Sequence, residues 1–188
     1  MIGIIQRSLI ALIEELGGTE LKCRVLKKSG VEADRRFDID KNYSDEECIR
    51  LLQTSLLESG LSEHELNTRF AKQFIKDAKV LFPTFFAMHH NSEDFMLSQA
   101  KIHAVLAAGI QEENERKRVK DKFSASRHHP GCVDIAYNSP NQLCGIFIAL
   151  AHAVAEEYDD QVVVTCRKCK KRGDQDCQFR LSWPSQSK

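Results

Sequence analysis

Apolar residues at Ile2, Ile5, Leu9, Leu12, Ile13 and Leu16 recur at three- and four-residue intervals. This predicts an amphipathic helix at the start of the chain, with Gly17-Gly18 as its stop. Ser44 to Glu47 has the spacing of a capping box, in which a hydroxyl and a carboxylate satisfy two N–H groups that a helix start leaves unpaired; the helix it opens should run to Gly60. Ser62 to Glu65 repeats the device, Leu66, Phe70, Phe74 and Ala78 follow on one face, and Pro83 marks the far end. A further start at Ser92, ahead of Glu93 and Asp94, opens a helix expected to continue through His103 to about Gly109. Gln111 to Arg127 is charged and poorly periodic, and reads as a solvated extension or a mobile loop.

Beyond Arg127 the period changes. Cys132 to Tyr137 alternates, with Val133, Ile135 and Tyr137 on one face, as a half-buried strand does. Ser139-Pro140 reads as the next helix start, a hydroxyl cap followed by proline at the first helical position, and that helix runs through Leu143, Phe147, Leu150, Ala151 and Val154 to about Tyr158. Gln161 to Arg167 is β-branched, and Cys177, Phe179, Leu181 and Trp183 alternate with Gln178, Arg180 and Ser182. Joined by Lys168 to Asp176, these runs predict an antiparallel hairpin. The expected architecture is α+β: an N-terminal helical subdomain packed on a small antiparallel sheet with an inserted helix. It is read as one domain over 1–188, with a helical subdomain over 1–60, and further helices, the sheet and a cysteine hairpin over 61–184.

Composition narrows the function. With 27 Lys+Arg against 27 Asp+Glu in 188 residues, the chain lacks the basic surface that counterion release demands of a nucleic-acid binder. The balance is uneven, since Val162 to Lys188 holds seven basic residues (Arg167, Lys168, Lys170, Lys171, Arg172, Arg180, Lys188) and two acidic ones (Asp174, Asp176), a tail of +5 on a body of −5. No apolar run approaches the roughly 18 to 20 residues that span a bilayer. The first residues also lack a signal-peptide pattern, so a cytoplasmic protein is expected. In that compartment an odd count of seven cysteines points to metal or redox chemistry rather than a disulfide framework.

Cys166 and Cys169, followed by Cys177, put three thiols in one hairpin, and Cys144 on the preceding helix could complete a tetrahedral zinc site. Four thiolates would leave no position for water, so the zinc would be structural. Cys132 is the reserve fourth ligand. The basic loop residues should favour thiolate. The plainer reading makes Cys177 a core residue of an alternating strand and the others ordinary reduced thiols. His103 shares a helix face with Phe95, Gln99, Ala100, Leu106 and Ala107, where small neighbours leave room for a flat ligand. On position alone a core histidine is the simpler reading. No nucleophile with a positioned base and no glycine-rich phosphate loop is present, so an enzyme is not expected. His89-His90 and His128-His129 read as loop residues, with His128 or His129 an alternative to His103 should its register differ.

The Met1-Ile2-Gly3-Ile4-Ile5 start, Tyr43 to Glu47, Phe95 to Ser98 before Ile102-His103, Tyr137 to Ser139 before Leu143-Cys144, and the cysteine hairpin occur in order along nearly the whole chain. In this they resemble the haem nitric oxide/oxygen binding (H-NOX) family, specifically its stand-alone bacterial members with a cysteine-bound zinc. The resemblance implies haem b with His103 as the iron ligand, and a haem propionate site at Tyr137, Ser139 and Asn141. Asn141 stands where the family has an arginine and offers neither its charge nor its fork. The family's proline after the proximal helix has no counterpart, and the segment before His103 is one residue shorter. The resemblance also implies a distal pocket of Ile5, Leu9, Phe74 and Ile146. Ile146 stands where oxygen-binding members carry a tyrosine, so NO or CO is favoured over dioxygen. The function implied is a haem-based nitric oxide sensor working through a proximal-histidine switch and read by a histidine kinase or a cyclic-di-GMP enzyme. The alternative is a haem-free signalling module in which oxidation or zinc loss at the cysteines loosens the hairpin.

Overall fold

The computed structural model describes residues 2–39 and 41–184; Met1 and Lys188, which enter the readings above, lie outside the described residues. The chain forms two compact units, Met1–Leu81 and Phe82–Lys188, whereas the sequence reading places a subdomain boundary at 60/61. Among the described residues no helix is long and apolar enough to cross a membrane.

The first unit is helical: α1 (Ile4–Lys28), α2 (Asp45–Ser59) and α3 (Glu63–Leu81). The expected stop at Gly17-Gly18 is instead a kink, with Gly17 at φ −148° and Gly18 at φ 65°, ψ −168°. The helix resumes because Leu21, Val25 and Leu26 again supply apolar positions to bury. Both capping signals are realised. Ser44 Oγ accepts from Glu47 N at 3.4 Å, and the Ser62 box closes in both directions, Glu65 N donating to Ser62 Oγ (3.2 Å) and Ser62 N to Glu65 Oε2 (2.9 Å). Gly60 ends α2 in the left-handed conformation. Leu9, Leu12, Ile13, Leu51, Phe70 and Ala71 are buried in this unit. The buried Ser8 hydroxyl is satisfied by Asp77 Oδ2 at 2.6 Å.

The second unit holds α4 (Pro83–Ala87), α5 (Ser92–Leu97), α6 (Gln99–Ala107), α7 (Glu113–Lys120), β1 (Phe123–His129), β2 (Cys132–Tyr137), α8 (Cys144–Glu157), β3 (Val163–Lys168) and β4 (Cys177–Ser182). Its sheet is fully antiparallel in the order β1-β2-β4-β3, so the class is α+β as expected. The alternation read from sequence in β2 and β4 is the burial pattern, with Val133, Ile135, Tyr137, Cys177, Phe179 and Leu181 on the core face. Four local expectations change. The helix through His103 is capped by Asn91, one residue before Ser92, and breaks at Ser98 into α5 and α6. Gln111 to Arg127 is neither extension nor loop but α7 and the start of β1. Edge strand β1 is polar because one of its neighbours is a helix: Arg127 pairs with Glu93 (2.9 Å) and Asp94 (2.7 Å) of α5. Finally α8 begins at Cys144 rather than at Ser139-Pro140, after Gln142 adopts φ 52°. That left-handed residue interrupts the run the proline would otherwise have started.

Candidate functional site

His103 stands on α6, a helix of mostly apolar sequence in which only Ala107 is fully buried, while Ile102, Ala104 and Leu106 stay half-covered. Its ring is also half-covered and lies 4.6 Å from that of Phe123, but its Nδ1 is fully buried and has no hydrogen-bond partner. Burial, with a smaller push from the Lys122 cation, lowers the pKa of His103 to about 3. The imidazole is therefore neutral at neutral pH, the form that binds a metal. Behind it an aromatic stack crosses the core face of the sheet, from Phe123 to Tyr137 (5.0 Å) and from Phe147 to Phe179 (4.5 Å). These rings hold β1 and α8 against the elements that carry the remaining candidates.

Tyr137 ends β2 in this stack and is buried. Ser139 is buried and its Oγ accepts from Asn141 N at 3.3 Å; Asn141 itself is half-buried. The three follow one another beside the Phe123↔Tyr137 end of the sheet. The helix N-terminus expected at Ser139 is absent, because α8 starts at Cys144, so no helix dipole reinforces the Ser139 hydroxyl. Lys122 lies on the other side of the same corner, its C=O accepting from Asn138 N at 2.8 Å. Of the residues named for the distal wall, Ile5, Leu9 and Phe74 belong to the first unit and Ile146 to the second. Leu9 is fully buried, and Ile5, Phe74 and Ile146 are half-buried.

The cysteines assemble in part. The Sγ atoms of Cys144, Cys169 and Cys177, all buried, lie within 4.8 Å of one another, with Cys144 and Cys169 3.6 Å apart. The start of α8, the hairpin loop and the first residue of β4 each contribute one. Two backbone contacts fix the loop: Cys169 N donates to Asp174 Oδ2 (2.7 Å) and Lys170 N to Cys177 Sγ (3.4 Å). Cys166 is outside the trio, its Sγ donating to Lys168 O at 3.3 Å with Arg172 Nη2 3.7 Å away. The reserve ligand Cys132 is ruled out by register. Cys177 pairs with Tyr137, and Cys132 lies five residues along β2 from there, about 17 Å at the usual strand rise.

The expectation that the basic loop favours thiolate is met in direction at Cys169, although the Arg172 cation is the smallest of the causes there. At Cys169 burial acts upward but is outweighed by the Lys171 N–H and by the neighbouring Cys144 and Cys177 thiols, so its pKa falls. Burial, then the bond to Cys169, drives Cys144 up to about 11, and burial also raises Cys166. Of this pair, Cys169 is the more readily deprotonated thiol.

His128 and His129 are exposed at the end of β1, where His129 Nδ1 is 2.9 Å from Pro130 O. His89 is not a free loop residue, since both its ring nitrogens have partners. The sequence reading missed Phe123 and Lys122, which flank His103, because both fall in the stretch read as extension or loop. The signal that could have found them is the alternation of Phe123 and Ala125 with Ser124 and Ser126.

A family model described as Haem-NO-binding matches residues 2–166. No curated protein matches the chain. Among solved structures, the I5F mutant of T. Tengcongensis H-NOX is 19% identical with a TM-score of 0.81, covering 98% of each chain. An H-NOX protein from S. oneidensis in the Fe(II)NO ligation state is 15% identical with a TM-score of 0.79, covering 98% of this chain and 100% of that one. An oxygen-binding H-NOX domain related to soluble guanylate cyclases, in its oxygen complex, is 20% identical with a TM-score of 0.79, over 98% and 96%.

Proposed function

Because the chain belongs to the haem-NO-binding family, we propose that it is a haem-based nitric oxide sensor in which His103 is the protein's ligand to iron. The observation that carries this is the His103 imidazole, held neutral on a half-covered apolar helix with a buried, unpartnered Nδ1. Bound haem would supply the iron that takes the gas. The chain's own part is to hold α6 against β1 through the His103–Phe123 contact, so that a change at His103 is passed to the sheet. Tyr137, Ser139 and Asn141 would receive the propionates. Asn141 brings no charge to this task. The signalling partner we assign is the one the resemblance implies, a histidine kinase or a cyclic-di-GMP enzyme.

Protein expressed with a haem precursor should show a Soret band that shifts on NO and is lost in His103→Ala. Protein that stays colourless after haem reconstitution would overturn the reading.

A second reading is favoured by the cysteine trio: a zinc- or redox-responsive module with Cys144, Cys169 and Cys177 as metal ligands. The donor set fits, because three buried sulfurs lie within 4.8 Å and one of them is biased toward thiolate. Cys166, whose thiol interacts with that of Cys169, would be the fourth ligand. Metal analysis should return about one zinc per chain, the tetrahedral structural site taking one ion. Cys144→Ser or Cys177→Ser should lose it. Zinc-free wild-type protein purified without chelator would dismiss a zinc role.

A further inference from the structure

Ser98 closes α5 and opens α6, serving as C-cap of one and N-cap of the other. A serine at an N-cap ordinarily turns its hydroxyl onto an N–H of the first turn. Ser98 makes no such bond. Its Oγ points backward, 2.7 Å from His89 Nε2 and 2.9 Å from Asp94 O. The other ring nitrogen, His89 Nδ1, is 2.8 Å from Phe85 O. A carbonyl only accepts, so Nδ1–H donates to Phe85 O, and Nε2 is left to accept from the Ser98 hydroxyl, whose one hydrogen goes either to it or to Asp94 O. The imidazole thus ties the last turn of α4 to the corner between α5 and α6.

Packing fixes the ring in that role. It meets Phe95 edge-on at 5.5 Å, and Phe95 stacks on Phe86 at 4.9 Å. Tyr158, just beyond α8, donates to Phe86 O at 2.8 Å, so the α4 end of the bridge is itself anchored. At the other end the Ser98 carbonyl accepts from Ile102 N at 3.0 Å, a first-turn bond of α6, and the next residue is His103. A connected path therefore runs from α4 through His89 and Ser98 into the turn that bears the candidate iron ligand.

We propose that His89 is a positioning residue for His103: by bridging Phe85 O and Ser98 Oγ it sets the corner from which α6 departs. Its bearing on gas sensing rests on the reading of His103 as iron ligand, but the positioning itself does not need haem.

The test uses the full chain without haem and hydrogen exchange of its backbone amides. His89→Ala should speed exchange at the α6 amides by about tenfold, the effect of freeing one locally held turn, and leave β2 and β4 at wild-type rates. Ser98→Ala should reproduce the effect, and the double variant should add little, because the two residues share one bond. His89→Gln, whose amide places a donor and an acceptor at a spacing close to that of the ring nitrogens, should recover most of the protection. Unchanged α6 exchange in Ser98→Ala, or additive single effects, would overturn the proposal. Should His89→Ala not fold, the Ser98→Ala and His89→Gln results decide alone. In haem-loaded protein, His89→Ala should also shift the iron–histidine stretching band. Wild-type protein that never takes haem would remove the sensor reading while the exchange result still judges His89.

Discussion

At the scale of single residues, His103 shows how burial converts an ordinary side chain into a candidate ligand. The unfolded chain takes up a proton on this imidazole near pH 6.5, but the folded chain resists it down to about 3. The unfolded state therefore binds more protons across that window, and stability is lost as pH falls through it, at most about 1.4 kcal/mol per pH unit. Urea titrations of haem-free protein at pH 7 and pH 5 should show a smaller loss in His103→Gln than in wild type; equal losses would mean that His103 is protonated in the native state. The sequence put this histidine on an apolar face but could not say whether the ring had a partner. That depends on Phe123 and Lys122, some twenty positions away and beyond an intervening helix.

Among the elements, local rules held where the signal and its target lie within one turn. The Ser62–Glu65 box closes in both directions because both partners sit on the same four residues, and Ser62→Ala should cost about 1 kcal/mol by urea denaturation. Local rules failed where a neighbour decided the outcome. Gly17-Gly18 has the look of a helix stop, yet the chain kinks and continues because Leu21, Val25 and Leu26 find core to fill. Gly18 sits at φ 65°, ψ −168°, a region open essentially to glycine alone. Gly18→Ala should lower stability by about 1–3 kcal/mol, although a Cβ there would meet no other atom within 4 Å. A neutral Gly18→Ala would show that the kink relaxes rather than resists. Ser139-Pro140 satisfied the sequence rule for a helix start, but Gln142 at φ 52° deferred the helix to Cys144.

Within the second unit taken as a whole, distant pieces are joined through a few buried polar groups. Ser92 N and Oγ both donate to Asp160 Oδ2 at 2.7 Å, and Trp183 Nε1 donates to Ser92 Oγ at 2.7 Å, so α5, the loop after α8 and the end of β4 meet at one hydroxyl. Ser92→Ala removes that hub and leaves the indole N–H and a carboxylate lone pair short of partners, which should cost about 2–3 kcal/mol. The single tryptophan reports it directly through the urea dependence of its emission. The sequence by itself determined the apolar period of each strong helix, the alternation of β2 and β4, the hairpin between β3 and β4, and which side chains are candidates for a metal or haem iron. These are short-range properties, written in spacings of two to four residues. Only the tertiary structure decided that β1 is a strand, because it pairs with β2 and its Arg127 finds counter-charges on α5. Only the tertiary structure gathered Cys144 with Cys169 and Cys177 while leaving Cys166 beside them and Cys132 at the far end of β2. Strand register and helix placement are set by contacts between residues far apart in the chain, and a local pattern carries no record of them.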